Sequence, residues 1–299
     1  MCSESTSRAG SDREDPTCLI GVDNYSYHRL LGEVRSGEVP PAKAARTWLA
    51  TLAAAHGAGA KVVSLQTCFM SIAEAERSLR QLDDRHTCLA WGHPAGLEFG
   101  RLASAETDAG EWMRLARDLG HSRMRIVTGH QSVAVDADRR RDLRDAIPAL
   151  ARLAGLAEDL SLTLAIENHT DFTAAQLRSL LEAVDSPRLS VCFDLGNAFR
   201  VGDDVQEAAE LLRDDIVMVH VKDLVPRPLD GPSGPASTLL GEGVLPVGPV
   251  IDALGSIDEV WLLLELGHLG AADVDEDAMV QQGVAWLNDR LRMRIRRTP

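Results

Sequence analysis

Short apolar runs alternate with longer segments of helical periodicity along most of this chain. Several runs are apolar without interruption, which is typical of parallel strands covered on both faces. We predict strands at residues 18–22, 61–65, 87–91, 123–127, 162–167, 189–194, 216–220 and 260–265. We predict helices at residues 40–56, 71–85, 105–119, 137–159, 173–184, 205–213 and 247–254, and a last helix from residue 275. Eight alternations without a composition break predict an α/β fold, a single-domain (β/α)8 TIM barrel over residues 18–299.

An open doubly wound sheet is the alternative fold. It has fewer strands and usually a glycine-rich first turn, which this chain lacks. One connection is unusual, because residues 224–246 are rich in proline and glycine and follow the seventh predicted strand. Loops of this length are usually lids, binding loops or disordered segments. Since the loop leaves the carboxyl end of a barrel strand, we expect a lid over the site.

Four consecutive strands in the second half end on a side chain that can bind a metal or carry a proton. These residues are Glu167, Asp194, His220 and Glu265. Carboxyl ends of barrel strands meet at one rim, where barrel enzymes have their active sites. Taken singly, Asp194 and Glu265 are better explained as helix caps and His220 as a core histidine. Taken together, the four predict a functional site.

The chemistry of this set indicates a divalent metal. Converging carboxylates repel one another unless a cation lies among them. A mainly oxygen donor set suits Mn²⁺ best, with Mg²⁺, Co²⁺ or Zn²⁺ as alternatives. Such an ion can bind two oxygens of a hydroxy-ketone, acidify the adjacent C–H and stabilise the enediolate. With Glu167 and Glu265 on opposite faces of the substrate carbon, one removes and the other returns the proton. These residues therefore predict metal-dependent proton transfer at the carbon next to a carbonyl, with inversion of that carbon.

Further polar residues are predicted at the same rim. The candidate substrate contacts are Lys222, Arg227, His93 and Asn197. His169, two residues after Glu167, is either a catalytic residue or part of loop packing. Lys222 and its neighbour Asp223 either bind a substrate oxyanion or pair with each other. For His93 and for His130, a structural role is the better interpretation, because neither has a partner at matching spacing.

Composition excludes several classes of protein. The 31 Lys and Arg residues against 45 Asp and Glu give a net charge of -14, which repels nucleic acid. The five cysteines are odd in number and widely spaced, as expected in a reducing compartment. Residues 1–17 are polar and are predicted to be a disordered N-terminal tail, not a secretory signal. No apolar segment approaches the roughly 20 residues that cross a bilayer. We expect a cytoplasmic protein without membrane contact.

The strand-end motifs resemble the sugar phosphate isomerase/epimerase family, whose fold is a xylose isomerase-like TIM barrel. The motifs are I-E-N-H at Glu167, C-F-D-L-G-N at Asp194, V-H-V-K-D at His220 and L-L-E-L-G at Glu265. The similarity covers nearly the whole chain and is most specific in its second half. In relatives that epimerise ketoses, the matching residues hold a divalent metal and the two glutamates act as acid and base. The resemblance implies these roles here, with a small carbohydrate as substrate.

One position departs from the epimerase pattern. Those relatives carry a histidine three residues after the metal-binding aspartate, and here that residue is Asn197. The motifs, together with L-G-E-G at 240–243, also resemble inosose dehydratases and the metal-dependent subunit of C-glycoside deglycosidases. Such lyases also take a proton α to a ketone before expelling a β leaving group, and His169 is the candidate base. A lyase is therefore the alternative, and a homo-oligomer or a hetero-subunit the expected assembly.

Two other classes of protein are alternatives. A barrel nuclease resembling endonuclease IV needs a multi-zinc site with more histidines and a basic surface, which the net charge of -14 disfavours. A non-catalytic barrel subunit would be indicated by loss of a ligand, and all four are present. The residues expected to determine which substrate binds are Tyr25, Tyr27, His28 and Trp91.

Overall fold

Strands and helices alternate along the chain in the order that the apolar runs predict. The computed structural model describes residues 19–82, 87–92, 102–129, 136–226, 235–254, 259–270 and 274–295. The strands in these ranges are β1 Leu19–Asp23, β2 Val62–Gln66, β3 Thr87–Trp91, β4 Arg123–Ile126, β5 Thr163–Glu167, β6 Leu189–Asp194, β7 Ile216–Val221, β8 Asp223–Val225, β9 Ala236–Thr238 and β10 Trp261–Leu264. The helices are α1 Trp48–Gly57, α2 Ile72–Leu82, α3 Leu102–Asp118, α4 Asp136–Leu160, α5 Ala174–Val184, α6 Leu195–Arg200, α7 Val205–Leu212, α8 Val247–Ala253 and α9 Glu276–Ile295.

Eight of these strands close into a parallel barrel, with the neighbour order β1-β10-β7-β6-β5-β4-β3-β2. Closure is made by β1, which pairs in parallel with both β10 and β2. The remaining strands, β8 and β9, form a separate antiparallel hairpin. The prediction of a single-domain (β/α)8 TIM barrel is confirmed.

The alternation of side chains along each strand sends one set of residues inward and the other toward the helices. A small apolar cluster fills the barrel interior and consists of Val62, Cys88, Ala165, Cys192, Met218 and Leu263. A larger cluster joins the outer strand faces to the helices. Gly21 completes the interior, because a Cβ there would lie 2.4 Å from the Val62 carbonyl oxygen. Four of these interior residues are followed, two positions later, by another side chain that points inward at the carboxyl-terminal rim. These rim residues are Glu167, Asp194, His220 and Glu265.

Two helices differ from the predictions. The helix predicted from residue 40 begins only at Trp48, because the Thr47 hydroxyl caps it by accepting from the Ala50 N–H at 3.3 Å. The preceding segment is held instead by the Arg46 N–H, which donates to the Leu30 carbonyl at 2.7 Å. Helix α6 was not predicted at all. It follows β6 directly and is too short to show helical periodicity.

The long connection predicted at 224–246 contains regular structure at both ends. Its first residues belong to β8, which pairs with β9. The Asp223 carboxylate accepts from four backbone N–H groups at 2.9–3.0 Å, those of Leu224, Gly241, Gly243 and Leu245. Residues 227–234 lie outside the described residues, as do 1–17, so the lid and the tail stay predictions. Among the helices that are described, none has the length and hydropathy of a membrane span.

Candidate metal centre

The four strand-end residues converge at the rim. Each of Glu167, Asp194, His220 and Glu265 is buried and offers one ligand atom, and these atoms all lie within 4.8 Å of one another. The His220 ring is the centre of the group. Its Nδ1 lies 2.6 Å from Glu265 Oε2, 3.5 Å from Asp194 Oδ2 and 3.7 Å from Glu167 Oε2.

The arrangement fits a shared cation. Asp194 Oδ2, both nitrogens of His220 and Glu265 Oε2 are buried without a hydrogen bond of normal geometry. These atoms face one another and the Lys222 ammonium at ion-pair distances, and buried acceptors that converge in this way are suited to sharing a cation. Three carboxylates and one imidazole form a donor set suited to a divalent ion. These residues are therefore capable of holding a metal.

Asp23 is a further buried carboxylate beside this group, 3.6 Å from His220 Nε2. It is fixed by the Ser64 hydroxyl at 2.6 Å and the Gln66 amide at 3.0 Å. A carboxylate on the second nitrogen of a metal-binding histidine orients the ring and raises its basicity. No role was predicted for Asp23 from the sequence. A signal was present, because Asp23 lies at the end of β1 as the four candidate ligands lie at the ends of their strands.

Lys222 brings a positive charge into the cluster. Its Nζ lies 2.7 Å from Asp194 Oδ2 and 3.0 Å from Glu265 Oε2. Burial lowers the pKa of Lys222, but these two carboxylates outweigh it, and the net shift is upward. Burial raises the pKa of Glu265, but the positive charges of Lys222 and His220 outweigh burial. The pKa of Glu265 therefore lies well below its usual range. The alternative that Lys222 pairs with Asp223 is wrong, because Asp223 binds the backbone of the turn.

Glu167 has a different environment from the other carboxylates. Its Oε1 accepts from the Asn197 amide at 2.9 Å, and its Oε2 lies 3.3 Å from Arg125 Nε. Burial raises the pKa of Glu167 to about 7, with Arg125 and His220 opposing the rise and the nearby carboxylates adding to it. A carboxylate with a near-neutral pKa exchanges protons readily at physiological pH. Asn197 contacts Glu167 here, and its predicted substrate contact is untested.

Asp194 combines two roles that the sequence offered as alternatives. Its Oδ1 caps α6 by accepting from the Asn197 N–H at 2.8 Å. Its Oδ2 is the atom that faces His220. The Asn168 side chain fixes the backbone of Asp194, with a donor contact to its carbonyl at 3.0 Å. One carboxylate thus starts a helix and supplies a candidate ligand.

A cavity of about 310 Å³ opens beside the cluster. It is lined by Tyr25, Glu33, Arg35, Gln66, Cys68, Gly92, Arg125, Val127, Glu167, His169 and Glu265. The three predicted catalytic residues, Glu167, Glu265 and His169, therefore share one wall. Arg125 was missed by sequence reasoning, because a charged residue inside a strand has no motif.

Three of the aromatic and histidine residues expected to select the substrate lie elsewhere. Tyr27 is in the core, the His28 Nε2 contacts Glu38 Oε1 at 2.9 Å, and the Trp91 indole donates to Asp108 at 2.7 Å. None of them lines the described wall of the cavity, whereas Tyr25 does. The candidates His93, His130 and Arg227 lie outside the described residues.

Fold and cluster together define a (β/α)8 barrel with a candidate metal site at its carboxyl-terminal rim. The chain belongs to the family of xylose isomerase-like TIM barrels, whose model matches residues 51–290. The resemblance to sugar phosphate isomerases and epimerases is confirmed.

Two curated relatives match part of the chain. One is the uncharacterised protein YihM of Escherichia coli strain K12, 29% identical over 125 residues, which cover 40% of this chain and 38% of YihM. The other is the 3-oxo-isoapionate decarboxylase of Pectobacterium atrosepticum, 29% identical over 90 residues, which cover 29% of this chain and 33% of that enzyme. The chain thus matches well under half the length of either relative.

Solved structures resemble nearly the whole chain. L-ribulose 3-epimerase superposes with a TM-score of 0.70 at 19% identity, over 93% of this chain and 96% of the epimerase. The IolI protein, solved with a zinc atom, gives a TM-score of 0.70 at 13% identity, over 92% of this chain and 98% of IolI. At these identities the comparison shows a shared fold.

Proposed function

We propose that this protein is a divalent-metal-dependent isomerase or epimerase that removes the proton α to the carbonyl of a keto-sugar or sugar phosphate. The observation that carries the proposal is the convergence of four ligand atoms within 4.8 Å at the mouth of a cavity. Two of the four residues, Glu167 and Glu265, also line that cavity. Candidate ligands and candidate proton carriers are therefore the same side chains.

The metal is proposed to be held by Glu167, Asp194, His220 and Glu265. A bound divalent ion supplies Lewis-acid polarisation of the ketone and charge stabilisation of the enediolate. Mn²⁺ is the metal we favour because the donors are mainly oxygens. Zn²⁺ is the alternative, and the zinc in the IolI structure supports it.

The chain's own residues are proposed to move the proton. Glu167 accepts it from the α carbon, with Asn197 fixing Oε1 so that Oε2 is the atom available at the cluster. Glu265 returns a proton on the other face. His169 lines the same cavity and is a candidate to deliver a proton to a substrate oxygen. Lys222, His93 and Arg227 stay proposed substrate contacts, and the cytoplasmic location and oligomeric assembly stay predictions.

Exchange of deuterium at the substrate α carbon tests the assignment. We expect Glu167→Gln and Glu265→Gln each to lower exchange about 1,000-fold, since each removes a proton carrier and a charged ligand. Glu182→Gln is the matched control, because Glu182 is 67% exposed on α5 and does not line the cavity. It should keep exchange within about threefold of the parent rate. Full exchange in both cluster variants would refute the acid and base roles.

A lyase is the second candidate function. Asn197, at the position where the resembling epimerases carry histidine, contacts Glu167 and favours this alternative. The decarboxylase among the relatives is also a carbon–carbon lyase by name. Mass spectrometry of products formed from ketoses, inososes and 3-keto-glycosides separates the outcomes. An isomerase conserves the mass of the substrate, a lyase lowers it, and a non-catalytic subunit forms no product.

A further inference from the structure

Arg125 is a buried cation that faces the cavity and has few hydrogen-bond partners among the described residues. Its side chain is 4% exposed and it lies among the residues of the cavity wall. On β4 it is the Cα partner of Ala165, which belongs to the barrel interior. Its guanidinium therefore extends from the interior toward the rim, beside the proposed reaction site.

The contacts of Arg125 in the described part of the chain are few. Nη1 donates to the Trp91 carbonyl at 3.2 Å. Nε lies 3.3 Å from Glu167 Oε2 but makes no hydrogen bond of normal geometry. A guanidinium carries five N–H donors, and a buried cation is costly unless they are satisfied. Among the described residues the Nε–H of Arg125 has no acceptor of normal geometry, and an acceptor on a ligand in the cavity would complete its contacts.

Arg123, two residues earlier on the same strand, is an arginine whose contacts are structural. Its Nη1 donates to the carbonyls of Val217 at 2.8 Å and Glu259 at 2.9 Å. Its guanidinium also lies over the Trp261 ring, 4.3 Å from the centroid. Arg123 is therefore satisfied by the protein itself. In the described part of the chain Arg125 has one such acceptor, the Trp91 carbonyl, although both arginines belong to the same strand.

We propose that Arg125 binds a carboxylate of the substrate, so that the substrate class is a keto-sugar acid and not a neutral ketose. This inference rests on the proposed function and names its substrate class. Arg35, on the same cavity wall, is paired with Glu33 at 3.4 Å, which leaves Arg125 as the cation that we assign to the substrate. The planar guanidinium fork matches a carboxylate. A phosphate is disfavoured because Glu167 and Glu265 are part of the wall and would repel a doubly charged group more strongly than a singly charged carboxylate.

Equilibrium binding of matched probes tests the proposal without catalysis. D-gluconate, D-glucitol and D-glucitol 6-phosphate differ in carrying a carboxylate, no charge or a phosphate. We expect the parent protein to bind gluconate about 100-fold more tightly than glucitol, in line with a charge-assisted hydrogen bond. Arg125→Gln should abolish this preference, and Arg123→Gln should retain it. Calorimetry is carried out with EDTA and with Mn²⁺, because a carboxylate can also bind a metal directly.

Several outcomes would overturn the proposal. They are equal affinity for gluconate and glucitol, no binding of either at tens of millimolar, tighter binding of the phosphate, or a preference that survives in Arg125→Gln. If Arg125→Gln does not fold, Arg125→Lys keeps the charge and removes the fork. That variant should bind gluconate about tenfold less tightly than the parent, and parent-like affinity would count against Arg125.

Deuterium exchange separates this inference from the function on which it rests. We expect Arg125→Gln to lower kcat/KM for a carboxylated ketose about 100-fold more than for the matching neutral ketose, because the loss through the contact with Glu167 is common to both substrates. An equal loss on both substrates would mean that Arg125 only supports Glu167, and would refute the inference alone. Absence of metal-dependent exchange with both classes of substrate in the parent protein would refute the proposed function, whereas the binding comparison would still decide the role of Arg125.

Discussion

Single residues at strand ends carry most of what could be predicted about the site. Glu167 and Asp194 each end an apolar strand, and inward alternation then brings them to one rim. Arg125 could not be predicted in the same way. In the sequence R-M-R-I it is equivalent to Arg123, and only the packing shows that one is satisfied by carbonyl groups and the other faces a cavity.

Glu38 allows a prediction about pH at the same scale. Burial raises its pKa, but hydrogen bonds from His28 and from the N–H groups of Leu269 and Arg35 lower it to about 2. Because the folded-state pKa lies below the unfolded value, this carboxylate stabilises the fold above about pH 4.5 and loses that effect toward pH 2. Glu38→Gln should therefore cost about 2–3 kcal/mol at pH 7, and progressively less below pH 4.5.

Urea denaturation of both proteins from pH 7 to pH 3 measures this difference. Glu33→Gln, on the same loop, is the control, since the Glu33 side chain is 42% exposed. A difference between parent and Glu38→Gln that stays constant over the whole pH range would exclude a depressed pKa for Glu38.

At the scale of elements, the regular strands and helices were predictable and the connections were not. The sequence identified β5 by its apolar run and α5 by its helical period, and α5 also has a capping box at Thr173. Neither signal could identify the turn after β9. The backbone of this turn is held by hydrogen bonds to the buried Asp223 carboxylate and not by an apolar pattern. Side-chain-to-backbone anchors leave no repeating signal in a sequence.

Asp223→Ala tests the importance of that anchor. The substitution removes an acceptor from four backbone N–H groups, so we expect a loss of about 3 kcal/mol in the free energy of unfolding. Asp204→Ala is the matched control. Asp204 caps α7 from an exposed position through two N–H groups, and its loss should cost about 1 kcal/mol. Chemical denaturation measures both values, and equal losses would contradict a special role for Asp223.

For the whole molecule, eight repeats in the sequence were enough to predict the closed barrel. The cavity could not be predicted from the sequence, because its wall is assembled from the ends of six different strands and the loops that follow them. The net charge of the candidate metal centre is nevertheless informative. Asp23 and the three cluster carboxylates face Lys222 and Arg125, which leaves two negative charges when His220 is neutral. A divalent ion would balance this excess.

Metal binding should therefore stabilise the entire fold. At a free Mn²⁺ concentration about 100 times the Kd, the parent protein should gain about 2.7 kcal/mol. Differential scanning calorimetry with EDTA and with Mn²⁺ measures the shift in Tm. Asp194→Asn should show little or no shift, because it removes a ligand charge. An equal shift in both proteins would place the responsible ion outside the cluster.

Direct counting of bound metal tests the central claim most simply. The protein is purified, loaded with Mn²⁺, passed through a desalting column, and its metal content is measured by mass spectrometry. We predict about one ion per parent chain and a loss of most of it in His220→Asn and in Asp194→Asn, because each lacks one ligand. Retention of one ion per chain in both variants, or no tightly bound ion in the parent chain, would contradict the metal centre proposed at the rim.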